Sequence, residues 1–417
     1  MTNPQPLDAV RETAAELLKE IAKEREALIK AGKIKKTKPL PEITDDEIPY
    51  EIPENWEWVR LGDIILENVG GGTPDKSKTE YWNGSIPWAS VKDLKSNSLD
   101  ETIDKITPAG LENSSSNLIP KGNVIVCTRM GLGKVAINSI NVAINQDLRA
   151  LILSKYVSKE YFVNYYSTLI IEGDGATVKG ISINTLHNYL IPLPPLSEQK
   201  RIVALLDELL SRIDKARENI EKNIENAEEL LQTSLDLIHC PKEELGKIVN
   251  ICTGKLNANQ AVEDGQYPFF TCSRTASKID RYAYDCEAIL LAGNNASGDF
   301  NVKHYKGKFE AYQRTYILTA KDEKNIDYRF LYFQVMRSLE TLKKEAVGTN
   351  TKFLRLPMIQ SLKIAYPNIS EQREYVKKID ALLLSINKLT QSYKQKLIDL
   401  DELRNSVLEK AFRGELT

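Results

Sequence analysis

Apolar residues recur at three- and four-residue spacing along two long stretches of this chain. The first stripe is Ile202, Leu206, Leu209, Ile213, Ala216, Ile220, Ala227, Leu230 and Leu237. The second is Tyr375, Ile379, Leu382, Ile386, Leu389, Tyr393, Leu400, Leu403 and Val407. Such spacing predicts helices with one apolar face, each about 40 residues and so about 60 Å long. Asn223 and Lys396 interrupt the stripes at equivalent places, as register-fixing polar residues do in coiled coils. Ser197 and Ser370 stand where N-caps belong, followed by Lys200 and Arg373 rather than the Glu of a capping box, so a simple cap is expected. Ordinary core packing produces such stripes too. Two matched stripes of this length favour an antiparallel coiled coil joining the domains between them. Residues Leu7 to Ala31 predict a further helix, striped by Val10, Ala14, Leu17, Ile21 and Leu28 and stopped by Gly32. The basic run Lys33–Pro39 and the acidic run Thr44–Glu47 then read as a solvated linker in preference to a nucleic-acid arm.

The stripes belong to a larger repetition. The stretch from Gly175 through Ser197-Glu198-Gln199 recurs, without a gap, from Gly348 through Ser370-Glu371-Gln372. Lys179 matches Lys352, Pro194 matches Pro367, Asp207 matches Asp380 and Ile213 matches Ile386. Two copies of one unit in one chain imply a pseudo-two-fold object with two related but different surfaces.

From Trp56 the texture turns to short β-rich runs separated by Gly, Pro, Asn and Ser: Trp58–Leu61, Ile86–Trp88, Val124–Cys127, Ala143-Ile144 and Leu151–Leu153. Residues 245–367 repeat it. Leu245–Ile248 echoes Leu61–Ile64, Ala288–Leu291 echoes the Val124 run, and Gln313-Arg314 echoes the region of Gln146. Between these anchors the two regions share little. The expected division is 1–50 (helix and charged linker), 51–195 and 241–368 (two recognition domains), and 196–240 and 369–417 (the two long helices). The fold class is α+β: two similar mixed α/β domains joined by two long antiparallel helices, with an N-terminal helical extension.

Composition narrows the chemistry. A chain of 417 residues holds two or more cores. No apolar run is long enough to span a bilayer and Met1–Leu17 lacks a signal core, which reads as a cytoplasmic protein. The five cysteines (Cys127, Cys240, Cys252, Cys272, Cys286) form no CxxC pair and read as reduced thiols. His187, His239 and His304 are far apart in sequence, which disfavours a histidine metal site or triad. Net charge is −2, without the basic surplus a stand-alone DNA binder uses against phosphates.

Catalytic signatures are sparse. Gly70–Ser77 resembles a phosphate loop but has Asp75 where glycine is required and Pro74 in the turn. Gly131-Leu132-Gly133-Lys134 lacks the third glycine of a dinucleotide fingerprint, and a tight strand connection explains it. There is no HExxH, no GxSxG and no Asn/Asp-Pro-Pro-Tyr segment for adenine methylation.

Several segments together resemble the specificity (S) subunits of type I restriction–modification enzymes. They are Ile48-Pro49-Tyr50 through Asp63-Ile64, Gly71-Gly72-Thr73-Pro74 with Glu80-Tyr81-Trp82 and Ile86-Pro87-Trp88, and Pro192–Gln199 entering the first long helix. Gly265–Ser273 and Ala411–Leu416 complete the set, which covers nearly the whole chain. The resemblance implies two target recognition domains, each reading half of a split double-stranded DNA sequence, held apart by the two helices as a ruler. It implies no catalysis and no cofactor in this chain. Two methyltransferase (M) subunits would bind S-adenosylmethionine and methylate adenine N6, and translocating, cleaving restriction (R) subunits that use ATP and Mg can join them. The M subunits would then clamp the duplex, which accounts for the missing basic surplus. Half-sites on one face of B-DNA lie about one turn, about 34 Å, apart.

Base readout calls for Arg or Lys toward guanine and Asn or Gln toward adenine, presented on loops. The candidates are Thr73, Arg129, Lys134, Gln146, Arg149 and Lys179 in the first domain, and Arg274, Asn294, Asn295, Lys303, Arg314 and Lys352 in the second. Any single one can equally be structural. Lys179 and Lys352 sit at matched positions, which favours a shared phosphate contact. Leu205, Leu210, Leu231 and Leu235 fall off the stripe and are expected to dock M-subunit helices, or else to pack on the chain's own domains. The rival to this whole reading is a coiled-coil adaptor with two related end domains and no DNA.

Overall fold

The computed structural model describes residues 13–175, 179–235, 238 and 240–416. Contacts divide it into two compact units, with the boundary crossing one long helix after Arg217 and the other after Leu397.

In the first unit, the strands Ile65–Gly70, Leu148–Leu153, Val124–Cys127, Val135–Asn138 and Ser98–Leu99 form one sheet in that order. Asp104–Ile106, Trp82–Ala89, Val142–Ile144 and Asn117–Ile119 form a second. The first sheet packs on the helix Lys159–Tyr166, whose Tyr161, Phe162 and Tyr166 are fully buried. A two-stranded ribbon of Glu57–Arg60 and Leu190–Leu193 leads into the first long helix.

The expected N-terminal helix covers Ala14–Lys30, and its first residues, including Val10, lie outside the described part. Thr13 and Glu16 close a capping box, and Gly32, at φ 66°, ends the helix. Leu17 and Ile21 enter the core of the first unit. Arg25 donates to the carbonyls of Gly62, Asp63 and Ile65 at 2.8–3.2 Å. The segment after it is no free tether. Leu40 lies against Gly62, and the buried Arg60 guanidinium donates to Pro41 O, Glu42 O and the Glu47 carboxylate. Both ends of the lysine run are therefore fixed to the same unit, because Arg60 needs partners that its own strand cannot supply.

In the second unit one six-stranded sheet takes the place of two. Its order is Val249–Thr253, Thr315–Ala320, Tyr284–Ala292, Val302–Ala311, Tyr267–Phe270 and Ser277–Ile279. The helix Tyr328–Arg337 packs on it through Leu331 and Val335. Lys242–Glu244 pairs with Lys363–Ala365, as the ribbon of the first unit does. Leu61–Ile64 and Leu245–Ile248 are both single helical turns.

The long helices are Leu196–Leu235 and Ile369–Phe412. They start earlier than expected, which places Ser197 and Ser370 inside the first turn. Asn368 makes a reciprocal capping box with Glu371 (Glu371 N to Oδ1 3.0 Å, Asn368 N to Glu371 Oε2 3.2 Å), and the Pro195 carbonyl accepts from Glu198 and Gln199. Within the first unit the helices run antiparallel, tied by Arg217 to Asp401 and by Arg404 to Asp214 (2.9 Å). Ala411 and Phe412 return to its core, and Arg413 stacks on Tyr50. In the second unit Tyr375 donates to Leu235 O (3.0 Å), and Leu235 is buried with Phe330, Phe333 and Tyr375.

The expected stripe holds at most described positions, with Ile202, Leu206, Ile213, Ala227, Tyr375, Ile379 and Ile386 buried, and fails at three. Leu230, Leu389 and Leu403 are exposed, as are Asn223 and Lys396, while Ile224 and Leu397 turn inward. Spacings of three and four fit Leu230 and Leu231 equally well from Ala227, so periodicity alone could not choose between them. Leu237 lies outside the described residues. The supposed surplus is largely consumed internally. Leu231 and Leu235 pack on the second unit's own aromatic cluster and Leu210 on the first unit's core. Among the described residues no helix is long and apolar enough to cross a membrane.

Candidate nucleic-acid interface

Each unit builds the same edge from backbone hydrogen bonds. In the first, Trp82–Ala89 pairs in parallel with Val142–Ile144, so that Asn145 N donates to Ala89 O (3.0 Å). A turn then closes from Leu148 N to Asn145 O (3.3 Å), and the chain re-enters the sheet. In the second, Tyr312 N donates to Phe270 O (3.0 Å) and the turn closes from Thr315 N to Tyr312 O (2.8 Å). The neighbouring strand exit is latched to each turn, by Thr128 N to Asp147 O (2.9 Å) and by Gly293 N to Arg314 O (2.8 Å). The repeat segment joins next, through Ile181 N to Thr128 O (2.9 Å) and Leu354 N to Gly293 O (2.8 Å).

Gly71 and Gly254 allow this construction. A Cβ on Gly71 would lie 2.2 Å from the Ile144 and Asn145 carbonyl oxygens, and one on Gly254 2.0 Å from Ala311 O. The glycines that suggested a phosphate loop thus serve close backbone approach.

Most candidates come together along this edge. In the first unit Gln146 occupies the turn and bonds Thr73, which follows Gly71-Gly72. Both line a cleft of about 450 Å³ with Trp82, Trp88 and Lys92. Arg129 is exposed beside Gly180 in a β-bridge and lies 3.7 Å from Asp147. Lys134 ends the same strand connection, with Nζ 3.5 Å from Val91 O. Lys179 is exposed on a second cleft with Met130, whose φ of 52° turns it outward at 58% exposure. Arg149 does not join them. It is half-buried, donates to Asn68 (2.6 Å), and burial pushes its pKa down.

In the second unit Asn294 and Asn295 pair with Phe353 and Lys352. This is the counterpart of Arg129 beside Gly180, so Lys179 and Lys352 are structurally equivalent. Arg274 is exposed and paired with Asp299, and Arg314 is exposed at the turn. Asn295 is occupied, its Oδ1 accepting from Ser297 N (2.9 Å) and Asp299 N (3.2 Å). Lys303 is an internal strut to Ser273 O (2.6 Å) and Asn301, with its pKa lowered by burial. Asn294 Oδ1 is buried without a hydrogen-bond partner.

Gln313 was missed. It holds the turn position of Gln146, is exposed, and donates to Asn257 (2.9 Å). The constant shift of the repeat sets Thr319, not Gln313, against Gln146, and strand pairing fixes the residue-to-residue match that the echo of Gln313-Arg314 only suggests. Among the described residues no cluster of His, Cys, Asp and Glu could hold a metal ion. His187 and His304 lie in different units, and His239 falls outside the described residues.

The model of the family described as type I restriction modification DNA specificity domain matches twice, over residues 53–226 and 242–398. The chain is 39% identical over 174 residues to the type I restriction enzyme EcoDI specificity subunit of Escherichia coli, covering 42% of this chain and 38% of that protein. Alignments with the first four relatives span only 38% to 50% of those proteins' lengths. The MjaIX specificity subunit of Methanocaldococcus jannaschii aligns more fully, at 25% identity over 88% of this chain and 94% of that one. Among solved structures, a chain from a study of assembly and conformational transition in the type I R-M system gives a TM-score of 0.69 at 21% identity, covering 88% of this chain and 100% of the other. The HsdS subunit from Thermoanaerobacter tengcongensis gives 0.54 at 20% identity, covering 89% and 100%. These two likenesses speak for the fold.

Proposed function

We propose that this chain, which belongs to the type I restriction–modification DNA specificity family, selects the DNA site for a methyltransferase complex in the cytoplasm. Each unit reads one half of a split double-stranded target. The carrying observation is that both units set different side chains on one backbone frame: Thr73, Asp147 and the exposed Arg129 in one, Asn294 and the exposed Asn257 and Arg314 in the other. A shared frame fixes how the duplex is approached, and unlike side chains make the two words different. Arg129, Lys134, Arg274 and Arg314 are the base-reading candidates, with Lys179 and Lys352 on phosphate. Arg149, Asn295 and Lys303 hold the edge in shape.

The chain performs no chemistry of its own. S-adenosylmethionine belongs to two M subunits, which methylate adenine, and ATP and Mg to R subunits where these are present. With a net charge of −2, most phosphate neutralisation falls to the partners. The M subunits dock on the long helices, the second of which leaves Leu384, Leu389, Ile398 and Leu403 exposed.

The test maps adenine methylation in a genome carrying this chain with its methyltransferase, against one lacking the chain. A bipartite motif that vanishes with the chain is expected. Inserting one heptad into each long helix should lengthen the unread spacer and leave both half-sites unchanged. An unaltered spacer refutes the ruler, and methylation that persists without the chain refutes the function.

A further inference from the structure

We infer that Gln146 and Gln313 are one repeated specificity element, each reading an adenine in its own half-site, so that an A·T pair occupies the corresponding place in both. The inference rests on the proposed function and adds a base identity to it.

Three observations carry it. Both glutamines sit at the second position of the turn between the parallel strand pair and the next central strand, with the same backbone bonds on either side. Both are exposed, and neither turn needs its side chain, because each closes through backbone groups. Their flanks have diverged, Asn145 and Asp147 against Tyr312 and Arg314, while the glutamine is common to both.

Each amide is also oriented. Gln146 Oε1 is held by the Thr73 hydroxyl, and Gln313 Nε2 by Asn257 Oδ1 at 2.9 Å. One bond fixes each plane and leaves an N–H donor and an oxygen lone pair free. A donor beside an acceptor is the complement of adenine N7 and N6–H₂ in the major groove. Guanine presents two acceptors there and cytosine one donor, so neither satisfies both atoms. In the first unit Gln146 borders the 450 Å³ cleft with Trp82 and Trp88, which leaves room for a base edge to approach.

The experiment uses the full chain expressed with its methyltransferase, and the readout is the methylated motif. Gln146→Ala should relax one A·T position in one half-site by about tenfold or more, and Gln313→Ala one A·T position in the other. Gln146→Glu, an acceptor only, should shift that position toward cytosine. Should an alanine variant melt below the wild type, Thr73→Val or Asn257→Ala replaces it. Freeing the amide should loosen the same position more weakly. The inference is overturned if the motif is unchanged, if affinity falls evenly across sequences, or if the two relaxed positions are not both A·T. A wild-type complex without a bipartite motif would instead refute the function beneath it.

Discussion

The two units solve one folding problem with different chain. In the first, Val135–Asn138 and Val142–Ile144 are separate strands in separate sheets. The break falls at Asn138, fully buried, whose side chain donates to Pro120 O and Ile140 O (both 2.8 Å) and accepts from Asn123 N (2.8 Å). In the second unit one strand, Val302–Ala311, does both tasks and passes through Gly307 at φ 132°, so the sheet is continuous. The functional edge comes out alike nonetheless. Strand continuity is therefore free to vary, whereas the bonds that latch the turn to the strand exit are shared.

A second shared device stands where each long helix begins. Gln199 and Gln372 are both fully buried. Gln199 Oε1 accepts from Ser158 N (2.8 Å), and its Nε2 donates to Pro194 O (2.9 Å) and Tyr156 O (3.4 Å). Gln372 does the same with Asp327 N (2.9 Å), Pro367 O (2.9 Å) and Asn325 O (3.0 Å). One amide thus fastens the long helix to the N-terminus of the helix lying on the sheet. Replacing either by Leu leaves several buried groups unpaired, at about 1–3 kcal/mol each. Denaturant unfolding should show the largest loss of any substitution considered, similar in size for both. A large loss at one and none at the other would break the equivalence.

Next in size is the close approach at the edge. Gly71→Ala and Gly254→Ala drive a methyl into backbone carbonyls, and overpacking of this kind costs about 1–3 kcal/mol. Because those carbonyls flank Gln146 and Gln313, each variant should also blur the half-site of its own unit and leave the other intact. Equal blurring of both halves in a methylation map would mean that the units are not separate readers.

Much of this comparison was legible in the sequence. The shift that aligns Gln199 with Gln372 is unbroken, and Val124–Cys127 fell on a strand as read. What stayed hidden is physical in origin. The helix seam depends on which of two adjacent leucines faces inward, and Leu230 against Leu231 is settled by tertiary packing. Ser370 looked like a cap because its hydroxyl could serve, yet Asn368 and Glu371 satisfy each other first. The sequence echo set Gln313-Arg314 against the region of Gln146, but the gapless shift could not pair the two glutamines, because that match lies in hydrogen bonding across strands whose connecting lengths differ. Arg149 and Lys303 looked like readers because sequence does not reveal that their charge is spent indoors.

The smallest effect concerns what only the first unit possesses. Its strap, residues 40–47, is pinned by Arg60, and among the described residues the second unit has no counterpart of that segment. The Arg60 guanidinium, with the Thr44 N–H, holds the Glu47 carboxyl down to about 2 from its ordinary 4.5. A carboxyl lowered on folding stabilises the folded form fully above its unfolded pKa and loses that contribution as pH falls through its folded one. The strap should therefore be firm above about pH 4.5 and loosen between there and about pH 2. Glu47→Gln keeps the shape and removes the charge. Compared at one pH by hydrogen exchange, the variant's strap should exchange faster than the wild type's at pH 6, and the two should converge toward pH 2. The peptides of the second unit should not distinguish the proteins at either pH. Equal exchange at pH 6 would mean that Arg60 holds the strap through the Pro41 and Glu42 carbonyls alone.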